Sequence, residues 1–196
     1  MTDTQARQFM RDFFERYYQT LEQLGNGIAV MRPLGESDKA MWREDADSKD
    51  EWKAWKLIPS TVTDQDIEAL EKAIGTNLPK CLNAILTVYH HYFENPVGEN
   101  PVSAPFKAVR NAWNPLLVKH GYLPFAWDDG GFYIRCIDLT NMPNEEQCGI
   151  CQIDHEVLFS LDEDTVQKEE LAQNMEYLSQ NLFTYLESIL DNGELS

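Results

Sequence analysis

The stretch from Thr63 to Phe93 constrains the fold more than any other part of the chain. Thr63, Asp64 and Asp66 have the pattern of an N-cap and an acidic first turn, and Ile67, Leu70 and Ile74 then recur one helical turn apart. Gly75 suits the left-handed conformation that closes a helix, and Leu78-Pro79 restarts the chain. A second helix is predicted to carry Leu82, Ile85, Leu86, Tyr89 and Phe93 on one stripe. The two read as a helical hairpin. It covers apolar surface and brings no chemistry of its own, so function is to be sought on what it packs against.

Before the hairpin, Thr4 to Leu24 reads as an amphipathic helix with Phe9, Phe13, Tyr17 and Leu21 on one stripe and Met10, Phe14 and Tyr18 beside it. Gly25-Asn26-Gly27 stops it, and Ile28 to Met31 has the composition of a short strand. Gly35 to Glu51 is charged and loop-like apart from Met41-Trp42; Trp52 and Trp55 then introduce Leu57-Ile58-Pro59. Residues 1–60 are therefore expected to be an N-terminal helix and arm packed on a main domain of residues 61–196.

After the hairpin the period changes. Asn95 to Pro105 is a Pro-, Gly- and Asn-rich loop, and Phe106 to His120 is helical with an interruption at Pro115. Tyr122 to Ala126 and Phe132 to Leu139 read as strands joined by a turn at Asp128-Asp129-Gly130-Gly131. Ile150 to Ile153 and Val157-Leu158-Phe159 are further strand candidates, and Asp164 to Leu190 is predicted to be one long helix. The fold class is α+β: a largely antiparallel meander, one face covered by the helical hairpin and the long C-terminal helix, with the N-terminal helical arm added.

Charge narrows the range of partners. The formal net charge is −17 with a pI near 4.5. From Cys136 to Ser196 there are fourteen acidic residues against one basic residue, Lys168, so most of the excess falls in the last third of the chain. Direct binding to nucleic acid or to an anionic membrane is disfavoured, because either requires the opposite sign; a cationic protein partner is favoured. No apolar run of signal-peptide or membrane-spanning length occurs, which makes a cytoplasmic protein the default, and four cysteines are then expected as reduced thiols.

Cys148, Cys151 and His155 form C-x-x-C-x-x-x-H with Cys136 on the preceding strand, so a zinc site can be drawn. On a regular strand, however, Cys148 and Cys151 point to opposite faces, and buried free thiols are the preferred reading, with no metal or other cofactor expected. His90 and His91, adjacent on a helix, do not share one ligand and are expected to be partly exposed near its end. No G-x-S-x-G, P-loop or H-E-x-x-H motif is present, and the acidic turns lack calcium-loop spacing, so the chain is not expected to be an enzyme.

Ile67 to Glu71 with Gly75, Leu78-Pro79, Leu123 to Ala126, Asp129-Gly130-Gly131, Cys136 to Leu139 and the terminal Ser179 to Leu190 segment together carry a resemblance. In their order and spacing, over roughly residues 52–191, they resemble the SUKH superfamily, whose founding members are a yeast regulator of cell-wall synthesis and the bacterial Syd protein. Trp52 or Trp55 fits the tryptophan often found before that family's first helix.

The resemblance implies a non-enzymatic binding module, in bacteria most often an immunity protein that neutralises a cognate polymorphic or contact-dependent toxin. An acidic surface suits the basic cleft of a nuclease-type toxin. The acids of the sheet turns and of the approach to the last helix are the candidate contacts: Asp128, Asp129, Glu145, Glu146, Asp154, Glu156, Asp162, Glu163 and Asp164, with Trp127 and Tyr133 as aromatic anchors. The alternative is a scaffold or regulator of envelope synthesis that docks through the aromatic N-terminal arm.

Overall fold

The computed structural model describes residues 1–33, 35–47 and 49–192. Its first helix, α1 (Asp3–Gln23), starts from a capping box in which the Thr2 hydroxyl accepts from the Gln5 amide while the Gln5 side chain accepts from the Thr2 amide. Ala6, Met10, Phe13, Phe14, Tyr17 and Leu21 are buried along one face. The helix stops where Gly25, Asn26 and Gly27 take successive left-handed conformations. The strand expected at Ile28 to Met31 is displaced: a tight 3-10 turn runs to Val30, and β1 (Met31–Arg32) pairs with β2 (Lys53–Ala54).

β3 (Ile58–Pro59) leads into α2 (Asp64–Ile74), capped by Thr63 with Asp66 and closed by left-handed Gly75. The next helix, α3 (Lys80–Val88), is shorter than the spacing predicts. Tyr89 and His90 leave it as β4 (Tyr89–His90), which pairs with β3, and Phe93 lies beyond it. Beta pairing to a distant segment thus displaces the last helical turn, a contact that local periodicity does not register. α1 lies against α3, and the Arg7 guanidinium donates to the Thr87 hydroxyl at 2.6 Å.

Two short helices follow, α4 (Lys107–Ala112) and α5 (Pro115–Lys119). Pro115 begins the second of them, with the Asn114 side chain accepting from the Leu116 and Leu117 amides. The sheet is a four-stranded antiparallel meander in sequence order: β5 (Tyr122–Trp127), β6 (Tyr133–Asp138), β7 (Ile150–Asp154) and β8 (Glu176–Ser179). Between β7 and β8 run α6 (His155–Ser160) and α7 (Lys168–Gln173), and α8 (Leu182–Asn192) is the last element among the described residues.

Two expectations change here. Val157, Leu158 and Phe159 form helix α6, because Asp154 accepts from the Glu156 and Val157 amides and so supplies the cap. The single long helix from Asp164 to Leu190 is two helices with β8 between them. Its apolar residues keep a helical spacing, yet Glu176 to Ser179 gains more by completing the sheet beside β7.

Both faces of the sheet are covered. Leu123, Phe125, Ile137 and Ile150 join α1, α2, α3 and α8 in the larger core, where Phe14, Tyr17, Trp55 and Phe93 pack ring against ring. Tyr122, Ile134, Cys136, Cys151 and Ile153 face a smaller core closed by α5, α6 and α7 through Leu116, Leu117, Leu158 and Leu171. Burying both faces fixes the register, since a slip of one residue would exchange the two sets.

Candidate partner-binding surface

The β5–β6 hairpin ends in a turn built on Asp128. One carboxylate oxygen of Asp128 accepts from the Phe132 and Tyr133 amides, each at 2.7 Å. Tyr133 lies in register with Asp154 of the neighbouring strand, so the cap of α6 stands beside this turn. His155 closes the arrangement: its backbone amide donates to the Phe132 carbonyl at 3.0 Å, and its ring Nδ1 lies 2.9 Å from the same oxygen. A carbonyl oxygen only accepts, so Nδ1 carries a proton.

Turn, cap and helix together carry aromatic side chains: Trp127, His155 and Phe159 are in ring contact, and Phe132 adjoins His155 through its backbone carbonyl. The His155 ring lies 5.6 Å from Trp127 and 5.9 Å from Phe159. Phe132 is 60% exposed and Phe159 64%, with Val157 on the surface between turns of α6. Asp154 caps α6 directly ahead of His155 and Glu156 lies in its first turn, while Asp128 and Asp129 belong to the turn that precedes Phe132. On its other side Trp127 forms one wall of a cleft of about 280 Å³, also lined by Glu94, Glu99, Lys107, Asp128 and Asp129. Lys107 is paired with Glu99 at 2.6 Å. The Trp127 indole donates to the Asn111 carbonyl, fixing that wall to the end of α4.

Gly98 shapes the same cleft. Its φ is +76°, and an added Cβ would stand 2.3 Å from the Ala108 Cβ, so only glycine lets α4 approach this closely.

The eleven residues expected to carry binding are not one surface. Trp127, Asp128, Asp129, Tyr133, Asp154 and Glu156 are brought together at this end of the sheet. Glu145 and Glu146 lie in the β6–β7 connection, at the opposite end of β6. There the half-buried Glu145 accepts from the Lys80 and Cys81 amides at 2.9 and 3.2 Å, which caps α3 in place of the side-chain acceptor that Pro79 lacks. Glu146 meets the N-terminal amine at 3.4 Å. Asp162, Glu163 and Asp164 form an exposed turn after α6, where the Lys119 ammonium donates to the Glu163 carbonyl.

Phe132, His155, Val157 and Phe159 were not among the expected contacts. The usable signals were a large aromatic directly after turn glycines and an Asp154 placed to cap a helix that runs on into Phe159.

The cysteines are separated by the sheet. Cys148 lies in the larger core, whereas Cys136 and Cys151 are cross-strand partners in the smaller one. Burial pushes all three thiols up, Cys151 to about 12, which favours the protonated thiol over a metal-binding thiolate. His90 and His91, expected to be partly exposed, are both fully buried. His90 Nδ1 lies 3.0 Å from the Asn100 carbonyl. His91 packs between Phe14 and Phe93, and neither ring nitrogen has a hydrogen-bond partner among the described residues.

An α+β fold that presents aromatic and acidic side chains on the turns of a doubly covered sheet fits a protein-binding module. The chain belongs to the SMI1 / KNR4 family (SUKH-1), whose model matches residues 61–187, from the segment before α2 into α8. That family is generally non-enzymatic and includes immunity proteins. No curated protein matches the chain. Among the described residues, no helix is long and apolar enough to cross a membrane.

Proposed function

We propose that the chain is a cytoplasmic immunity protein that binds and neutralises a cognate polymorphic or contact-dependent toxin, its partner being a basic, nuclease-type domain. The observation that carries this reading is a net charge of −17 on a SUKH-1 fold, concentrated after Cys136 in the part of the chain that forms the β6–β7 connection, β7, β8 and α6 to α8. A protein that acts on nucleic acid presents positive charge to a polyanion, and an acidic surface both occupies that region and speeds encounter. Inhibition by occlusion requires no catalytic group on this chain.

The scaffold alternative, suggested by the family's eukaryotic members, has the aromatic N-terminal arm dock onto a partner. Phe13, Phe14 and Tyr17 are enclosed in the larger core, so these rings are not a docking face. The test is affinity capture of the tagged protein from its host at low and at raised salt, followed by assay of the captured chain. A single basic domain, encoded beside this chain and inactive while bound, agrees with the proposal. Recovery of envelope-synthesis proteins instead would contradict it.

A further inference from the structure

The acids of this chain account for attraction but not for a particular docking position, since they are spread over three regions of the surface. Large exposed side chains are more selective. Phe132 and Phe159 are each more than half exposed although both sit on hydrogen-bonded supports: Phe132 on the Asp128-braced turn, Phe159 on capped α6. The ring of His155 joins Phe159 to Trp127, and Trp127 opens onto the cleft lined by Glu94, Asp128 and Asp129. An apolar centre with a charged rim is the anatomy of a protein interface.

Charge complementarity selects the occupant. Asp128 and Asp129 in the turn, with Asp154 and Glu156 at the start of α6, repel anionic lipid and nucleic acid alike. A two-fold contact between copies of this chain would set the same carboxylates against one another. A basic protein surface remains, and its chemistry can be specified further. Arginine stacks on aromatic faces and pairs with carboxylates through two parallel hydrogen bonds, whereas lysine is a hydrated point charge without that planar fork.

We infer that the strip formed by Phe132, His155, Val157 and Phe159 is the centre of the docking surface, and that it receives arginine side chains of a basic protein partner, one of them entering the cleft beside Trp127. This rests on the basic-partner part of the proposed function and adds where the partner docks and which side chain it presents.

The test uses the full chain and two synthetic peptides of equal length and charge, one of glycine-spaced arginines and one of glycine-spaced lysines. Binding is followed by amide NMR shifts at physiological salt. The expected result is about fivefold or greater preference for the arginine peptide, with the shifts centred on 127–133 and 154–160. The double variant Phe132→Ala/Phe159→Ala, which leaves net charge and both cores intact, is expected to lose that preference, and its own amide spectrum verifies the fold. Phe159→Arg is expected to weaken the arginine peptide by like-charge repulsion.

Equal binding of the two peptides, shifts centred elsewhere, or a preference that survives the double variant would each overturn the inference. Because no toxin enters this assay, its failure would leave the immunity reading untouched. Failure to find a toxin would likewise leave an arginine-selective surface standing.

Discussion

At the scale of single residues, the acids of this chain differ in what their environment asks of them. Asp128 and Asp154 are already engaged by backbone amides, and Glu145 is the cap of α3. Glu145→Ala is therefore expected to destabilise the fold by about 1 kcal/mol, as measured by chemical denaturation, while leaving partner affinity nearly unchanged. The two buried histidines make a separate prediction. Burial, followed by the nearby His90, pushes the His91 pKa down to about 3, and burial lowers His90 as well. A depressed folded-state pKa means that the stabilising contribution is fully present above the unfolded value near 6.5. It is lost as pH falls from there toward 3. Where only the unfolded chain is protonated, His91 adds a slope of ~1.4 kcal/mol per pH unit. His91→Leu should flatten the acid side of the stability curve by that amount in urea titrations between pH 6 and pH 4. The sequence shows two adjacent histidines but not their burial, which follows from their position on a strand and bridge under α1.

At the scale of elements, the parts of the fold that local pattern specifies were legible, and the parts set by distant pairing were not. Thr63 to Gly75 carries its cap, apolar stripe and stop within one short segment, and α2 forms there. The β5–β6 hairpin is equally local, with its turn residues between two apolar runs. By contrast, Leu171, Met175, Leu178 and Leu182 keep a helical spacing straight through β8, and only the open side of β7 makes a strand there the better solution. α6 was hidden for the opposite reason, since Val157-Leu158-Phe159 is too short a run for period to decide and the cap at Asp154 decides it. The candidate surface inherits this limit: its turn acids were readable, while Phe159 acquired its exposure from a helix that the apolar run disguised. α1 supplies a test at this scale. Its aromatic face is part of the larger core, so Phe14→Ala should cost about 3–5 kcal/mol in denaturation, and the loss should appear in the single transition of the whole chain.

At the scale of the whole molecule, a sheet covered on both faces leaves turns, caps and helix ends as its outward-facing groups, and on this chain they carry the negative charge. Electrostatic attraction acts over the whole of that surface, while the aromatic strip gives it a position. Reversing Asp162, Glu163 and Asp164 to lysine is accordingly expected to slow association with a basic partner and to reduce its salt dependence, with the fold intact, because the three form an exposed turn. Stopped-flow association rates at two ionic strengths measure this, and an unchanged salt dependence would remove the segment from the surface the partner senses. Neutralisation of a toxin is read from growth. The protein encoded directly beside this chain is expressed in a susceptible host, alone and together with the chain, and growth is followed. Arrest when it is expressed alone and recovery when the chain is present is the predicted result; growth that is unaffected by the neighbour, or arrest that the chain does not relieve, would contradict it.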